Sequence, residues 1–428
     1  MHFLMCPIGT HGDVLPFIRL GDHLKRCGHR VTLATNGPFR KLSLMRDLEF
    51  DCIYEEGLFE AGMNTPHLWH PVRSFTVLMR DLAFKAIEPL YHRVSQERFN
   101  SDTVVVSGPL SLGARLACEQ WGIPHIILCL QPAVIRSIHA TPRISGMPWI
   151  SGMPRRIRIL MARIMDAYVD RLTVPELRRF RAAAGMDRSM GHFLEWWIAS
   201  VPVLALFPSW YARRQTDWPE NIEQLDFPLE SESLARIPDD VVRKFLDQGS
   251  APVVFTWGTG MRHSLKFHQE ALAICRRTGV RGIIVTPGMV RETEENEGIL
   301  QTGFIDFQGL LPKCRAIVHH GGIGTTAEAF RAGIPQLVVP MAFDQPDNAE
   351  RIRRAGTGDI LKPSQFRCPA AAGRLMRLIE SRAVRERCGV LRERMAAHGG
   401  TVLAAKRIIE IGQAGHLPYS REASSPCL

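Results

Sequence analysis

The sequence predicts an α/β protein made of two doubly wound domains that face each other across a cleft. Three observations carry this. At 428 residues the chain is too long for one ordinary core, because single cores stop growing at roughly 250–300 residues. Apolar β-like runs alternate with helical patterns in both halves, as parallel sheets covered on both faces require. A stretch rich in Pro, Glu and Asp, from Trp218 to Gly249, separates the two runs and reads as a linker.

In order, "HFLMCPIG" reads as a buried first strand, Phe17 to Cys27 as a helix, and "RVTLATN" as the next strand. "TVVVSG", a helix from Leu112 to Trp121 and "HIILCL" continue the alternation. Residues 154–185 are helical and basic, with eight arginines against three acids, and the strand "VPVLALFPS" follows. Alternation restarts at "APVVFTWGTGM" and runs through "RGIIVTPG", "AIVHHGG" and "IPQLVVPM". The division expected is 1–225 for the first domain, 226–250 for the linker, 251–412 for the second domain and 413–428 for a frayed tail.

Composition narrows the function. Hydrophobic content of 45%, charged content of 22% and a mean hydropathy of -0.05 describe a globular chain with ample core. The opening "MHFLMCPIGTHG" has no basic start and its apolar run ends at Pro7, so no signal peptide is expected and a cytoplasmic location is. The run "WWIASVPVLALFPSWYA" carries two prolines and is shorter than the roughly 20 residues of a spanning helix. Ten cysteines without a Cys-x-x-Cys pair read as reduced core thiols. A net charge of +10 and a pI near 9.3 raise the question of nucleic acid. No nucleic-acid motif accompanies the charge, so anionic small molecules or an anionic lipid surface are the expected partners.

The stretch "HHGGIGTTAEA", His319 to Ala329, carries the strongest chemistry. A strand runs into a glycine turn and then a helix, whose unsatisfied N–H groups and dipole suit a phosphate. Gly321, Gly322 and Gly324 admit close approach; Thr325, Thr326 and His320 can donate hydrogen bonds. Glu328, one turn further on, can accept from a hydroxyl pair such as that of a ribose. The plainer alternative is a tight turn, a Thr325 cap and a solvated Glu328. A metal held by His319 and His320 fails, because adjacent strand residues point to opposite faces.

"AIVHHGGIGTTAEAFRAGIPQLVVPMAFDQPDNAERI", from Ala316 to Ile352, resembles the donor-binding signature of nucleotide-sugar glycosyltransferases with two Rossmann-like domains, the GT-B type of the UDP-glycosyltransferase family. "GTHGDVLPFIRLGDHLKRCGHRVTLAT" resembles the acceptor-side signature, and "LLPKCRA" and "FLDQGSAPVVFT" extend the likeness. Within the family it is most similar to the bacterial branch that holds the rhamnosyltransferase of rhamnolipid synthesis, the sterol glucosyltransferases and the antibiotic glycosyltransferases. The resemblance implies that the first domain binds the acceptor and the second the donor. It places the pyrophosphate at His320, Gly322, Gly324 and Thr325, the ribose at Glu328 and the sugar hydroxyls at Asp344 and Gln345. The base shelf falls on Phe304 and Phe307, where the family often has Trp and Gln, and Thr259 is a further substrate-binding position. An Asp344 that merely caps the following helix is the alternative.

Sugar transfer to an alcohol needs a base within hydrogen-bond reach of the acceptor. In "GTHGDVLP" the family places its base just after Gly12, on Asp13, with His11 as the rival or as a substrate contact. A plain cap is the other reading of Asp13. The Gly9–Gly12 spacing is not a dinucleotide fingerprint, so no cofactor is expected beyond the nucleotide sugar as co-substrate. No Asp-x-Asp triplet is present, and the resemblance implies metal-independent inversion.

The expected activity is hexose transfer from a nucleoside diphosphate sugar, UDP-glucose before dTDP-rhamnose, to a lipophilic alcohol. A nucleotide-sugar epimerase and a non-catalytic nucleotide-sugar-binding subunit are the alternatives. Helix 154–185 spaces Ile157, Leu160, Met161, Ile164 and Met165 on one stripe beside its arginines. Such a helix either borders the acceptor and an anionic leaflet or packs on its own domain.

Overall fold

The computed structural model describes residues 1–428 except 66, 71–72, 144–151, 199–200, 231–239, 259–264, 287–291, 295–297, 304, 397–398 and 415–428. The predicted α/β class is borne out. Two seven-stranded sheets account for the two runs of alternation. The first contains β1 (His2–Cys6), β2 (Arg30–Asn36), β3 (Glu49–Tyr54), β4 (Thr103–Ser107), β5 (His125–Cys129), β6 (Val203–Ala205) and β7 (Ile222–Gln224), in the order β3-β2-β1-β4-β5-β6-β7. All its pairings are parallel.

The second contains β8 (Val253–Thr256), β9 (Gly282–Val285), β10 (Glu292–Glu294), β11 (Ile299–Thr302), β12 (Ala316–His319), β13 (Gln336–Val338) and β14 (Gly358–Ile360). Its order is β10-β11-β9-β8-β12-β13-β14, parallel except for the β10–β11 edge. The switch points lie beside β1 and β8, and α/β proteins bind ligands outside the strand ends there. That geometry decides where the two glycine turns meet.

Every residue of β1 is buried, as its unbroken apolar run demands. Five helices matter below: α1 (His11–Arg26), α2 (Arg155–Ala183), α3 (Ile323–Ala332), α4 (Gln345–Ala355) and α5 (Gly400–Gln413). Helix α3 ends on Gly333 in the left-handed region, at φ 69°, where glycine carries no Cβ penalty. Pro16 sits inside α1 and removes the amide that would otherwise bond the Gly12 carbonyl.

The tail end of the second domain behaves differently from its place in the sequence. α5, within the 251–412 span, packs against α1, and a Cβ on Gly412 would touch Val104 and Met1. Arg407 pairs with Glu223 at 2.7 Å, and Thr401 bonds the Leu229 carbonyl. Within the 226–250 span, Asp240–Asp247 forms a helix. Trp210 and Tyr211, after β6, stack on Phe330 of α3 at 5.3 and 5.9 Å and join the two lobes.

Among the described residues no helix is long and apolar enough to cross a membrane. The nine described cysteines are free thiols.

Candidate functional site

Loop 7–10 carries the chain from β1 into α1. Gly9 takes φ 141°, and a Cβ there would lie 2.3 Å from Asp13 Oδ2, so only glycine lets that carboxylate fold back. Asp13 is the third residue of α1. Its Oδ2 accepts from the Thr10 amide at 2.8 Å and from the Thr10 hydroxyl at 3.2 Å. The sequence alternative of a plain cap is therefore corrected: Thr10 occupies the cap and Asp13 reaches back to it, as in a capping box. Burial raises the Asp13 pKa, with the two Thr10 contacts opposing it. His11 stacks edge-on against Phe39 at 4.9 Å, and burial lowers its pKa.

Across the cleft, β12 delivers His319 and His320 with ring planes 87° apart. His319 is buried against Gln336 at 3.1 Å, while His320 lines the cleft. Burial pushes His320 down to about 4, so it is neutral near pH 7, and its Nδ1 is buried without a partner among the described residues. The ring needs glycines on both sides: a Cβ on Gly258 or Gly322 would come within 2.6 Å of it. Gly324 and Thr325 open the first turn of α3 toward the cleft. Thr326, expected as a second donor, instead bonds the Gly322 carbonyl at 3.0 Å.

Glu328 departs from its reading as a solvated first-turn acid. It is neither solvated nor open, being 5% exposed and paired with Arg331 in α3 and with Arg19 of α1 at 3.3 Å. The carboxylate still lines the cleft, so a ribose would compete with two guanidinium groups for its oxygens.

Asp344 precedes α4 without capping it by its side chain, which corrects the capping alternative. Its Oδ2 accepts from Asn348 Nδ2 at 2.6 Å. Burial and, more weakly, the charge of Asp13 push its pKa up to about 7. The preceding Phe343 has φ 58°, and it stacks on Trp69 of the first lobe at 5.4 Å. That backbone conformation is strained for a non-glycine residue. Gln345 accepts from the Met341 and Ala342 amides at 2.8 and 3.2 Å, which leaves its amide NH2 as the donor for a ligand.

One cavity of about 870 Å³ brings together His11, Gly12, Asp13, Phe307, His320, Gly322, Gly324, Thr325, Glu328, Asp344 and Gln345. Thr259 and Phe304 lie outside the described residues. The first-lobe wall is apolar, with Trp69, Phe75, Leu78, Met161, Met165 and Trp197 among its residues. Two residues that sequence reasoning missed organise the polar end. Asn348 bonds Asp344, the Gly321 carbonyl at 2.9 Å and the Tyr211 hydroxyl at 2.8 Å. Arg19 ties α1 to Glu328. The four-residue spacing of Asp344 and Asn348 in "DQPDN" is the signal that could have found the first; nothing local marks the second.

Two parallel-sheet domains meeting at such a cleft define the GT-B architecture. Residues 3–139 match the glycosyltransferase family 28 N-terminal domain, and residues 283–411 match the erythromycin biosynthesis protein CIII-like C-terminal domain. The chain is 26% identical to O-mycaminosyltylonolide 6-deoxyallosyltransferase of Streptomyces fradiae, over 96% of this chain and 97% of that one. A sterol 3-beta-glucosyltransferase of Arabidopsis thaliana is 26% identical over 84% of this chain, which spans 57% of that relative's length. Among solved structures, the calicheamicin glycosyltransferase CalG4 superposes with a TM-score of 0.69 at 20% identity, covering 97% and 99% of the two chains. Glycosyltransferase VinC in complex with dTDP superposes with a TM-score of 0.67 at 18% identity, covering 97% and 100%. The chain is a glycosyltransferase of the GT-B type, similar to the UDP-glycosyltransferases.

Proposed function

We propose that this glycosyltransferase moves a hexose from a nucleoside diphosphate sugar to a hydroxyl of a lipophilic acceptor, with inversion and without a metal. The observation that supports this best is a single cavity with an apolar wall at one side and a phosphate-type helix start at the other, and Asp13 between them. Asp13 takes the acceptor proton as the hydroxyl oxygen attacks the anomeric carbon, and the nucleoside diphosphate leaves. The charge on the leaving group is met by the N–H groups of α3, the neutral His320 ring and the Thr325 hydroxyl. Asp344, with a pKa near 7, both donates to and accepts from sugar hydroxyls, and Gln345 donates beside it.

UDP-glucose is the donor that a diol-binding Glu328 favours. A second reading, dTDP-rhamnose, is favoured by the pairing of Glu328 with Arg19 and Arg331, and by relatives such as VinC whose structures hold dTDP. An epimerase would consume donor without acceptor.

Peripheral contact with an anionic membrane belongs to the same proposal. The three acids of α2 are already engaged, Asp166 by Arg136, Asp170 by His192 and Glu176 by Arg179. Arg155, Arg156, Arg163 and Arg171 have no carboxylate partner among the described residues. Ile157, Leu160, Ile164 and Tyr168 are 40–57% exposed beside them, and Ile164 and Tyr168 also line the rim of the cavity that the adjoining face of α2 walls. A lipid-borne acceptor would enter from that side.

Mass-spectrometric screening of lipid, sterol and polyketide alcohols with UDP- and dTDP-sugars tests the function. A glycosylated product supports it; donor consumed equally without acceptor goes against it.

A further inference from the structure

Tyr211 belongs to the first lobe, beyond the end of β6, yet its hydroxyl is bonded within the second. The residue is buried, with its ring between Phe227 at 5.2 Å and Phe330 of α3 at 5.9 Å. Arg351 of α4 lies 5.6 Å over the ring and donates through Nη1 to the Tyr211 carbonyl at 3.1 Å. Burial raises the phenol pKa well above its ordinary value, so the hydroxyl keeps its proton. It donates to Asn348 Oδ1 of α4 at 2.8 Å.

Asn348 is fully buried, and its amide can sit only one way round. Nδ2 donates to the Gly321 carbonyl at 2.9 Å and to Asp344 Oδ2 at 2.6 Å. A carbonyl only accepts, so the NH2 must face Gly321 and the amide oxygen must face Tyr211. One side chain thereby fastens the first lobe, the glycine turn before α3 and the carboxyl of Asp344. With Oδ2 held by Asn348, the rotation of the Asp344 carboxyl is set by the same contact. Loss of the Tyr211 hydroxyl would take from Asn348 Oδ1 the donor that holds it, and a buried network of this kind loosens as a unit.

We propose that Tyr211 is a positioning residue for sugar transfer: through Asn348 the first lobe sets the Asp344 carboxyl that the donor sugar meets, so the sugar is held well only when the two lobes are seated together. This rests on the reading of Asp344 as a sugar contact. The nucleotide itself is bound without help from the Tyr211 hydroxyl, because Asn348 keeps its own bond to the Gly321 carbonyl when that hydroxyl is removed.

Calorimetry on the full chain tests it, with UDP-glucose against UDP and dTDP-rhamnose against dTDP, the tighter-bound pair deciding. The quantity read is the sugar increment, the affinity of the nucleotide sugar relative to its bare nucleotide. Tyr211→Phe keeps the packed ring and should lower the increment by about 3–10-fold, as one lost neutral hydrogen bond implies, with bare nucleotide affinity nearly unchanged. Asp344→Ala should lower it by about 10–100-fold, as for a hydrogen bond to a charged group. The double variant should match Asp344→Ala alone, because the hydroxyl acts only through that carboxyl. The proposal is overturned if Tyr211→Phe keeps the wild-type increment while Asp344→Ala lowers it, or if the effect of Tyr211→Phe persists in full beside Asp344→Ala, as mere packing would make it. An increment that Asp344→Ala leaves unchanged overturns the sugar-contact reading and the proposal together, and binding of neither pair overturns both with the donor site.

Discussion

Arg19 of the first lobe reaches across the cleft to Glu328 of the second, Nη2 to Oε1, at 3.3 Å. The carboxylate read as the ribose ligand thus also fastens the two domains. On the UDP reading, the two hydroxyls of its ribose, against one in dTDP, more than offset the guanidinium contacts that Glu328 gives up. Calorimetry on wild type and Glu328→Leu should show UDP bound about 3–10-fold more tightly than dTDP in wild type and equally in the variant. Equal affinities in wild type would favour the dTDP donor.

His320 is held neutral by burial, with a pKa of about 4. Its contribution to phosphate binding should therefore be independent of pH from about 5.5 to 8. The UDP affinity ratio of wild type to His320→Ala, measured across that range, should stay near about 10. A step in the ratio around pH 6.5 would mean that a charged imidazole binds the phosphate.

Asp344 has a folded pKa of about 7 against an ordinary value of 3.8. A carboxyl whose folded pKa is raised favours folding when protonated, so its contribution falls as pH rises from about 4 to about 7. Asp344→Asn should remove that dependence and stabilise the ligand-free protein at pH 8 by ~2–4 kcal/mol relative to its effect at pH 4, from about 1.4 kcal/mol per unit. Denaturant titrations at the two pH values read this, and an identical effect at both would contradict it.

The face of α2 carrying Arg156, Arg163 and Arg171 predicts co-sedimentation with anionic phosphatidylglycerol vesicles at low salt, lost at high salt. Arg156→Glu with Arg163→Glu and Arg171→Glu should leave the protein in the supernatant. Wild type that never pellets would reduce α2 to a wall of the cavity.

The sheets and the cleft were legible because β1, β12 and their glycine turns are local signals: an apolar run ending in Gly9 or Gly321 predicts a strand, a turn and a helix start. The opposition of His319 and His320 followed from the strand period alone. What stayed hidden was long-range. Arg19 and Glu328 are 309 residues apart, and no periodicity links them. α5 reads as one more helix of the second domain, and only its packing against α1 reveals that it returns to the first lobe. The role of Thr10 was missed for another reason: the backward reach of Asp13 depends on the φ of Gly9, a backbone property that a one-dimensional pattern does not carry.

The central claim is that Asp13 takes the acceptor proton, and turnover of Asp13→Asn tests it most directly. Asparagine can still accept from the Thr10 amide, so α1 and the loop keep their shape while the base is lost. With an acceptor found by the product screen, turnover should fall by about 10²–10⁴-fold with UDP affinity nearly unchanged. Near-normal turnover in that variant would contradict the account and pass the role to His11.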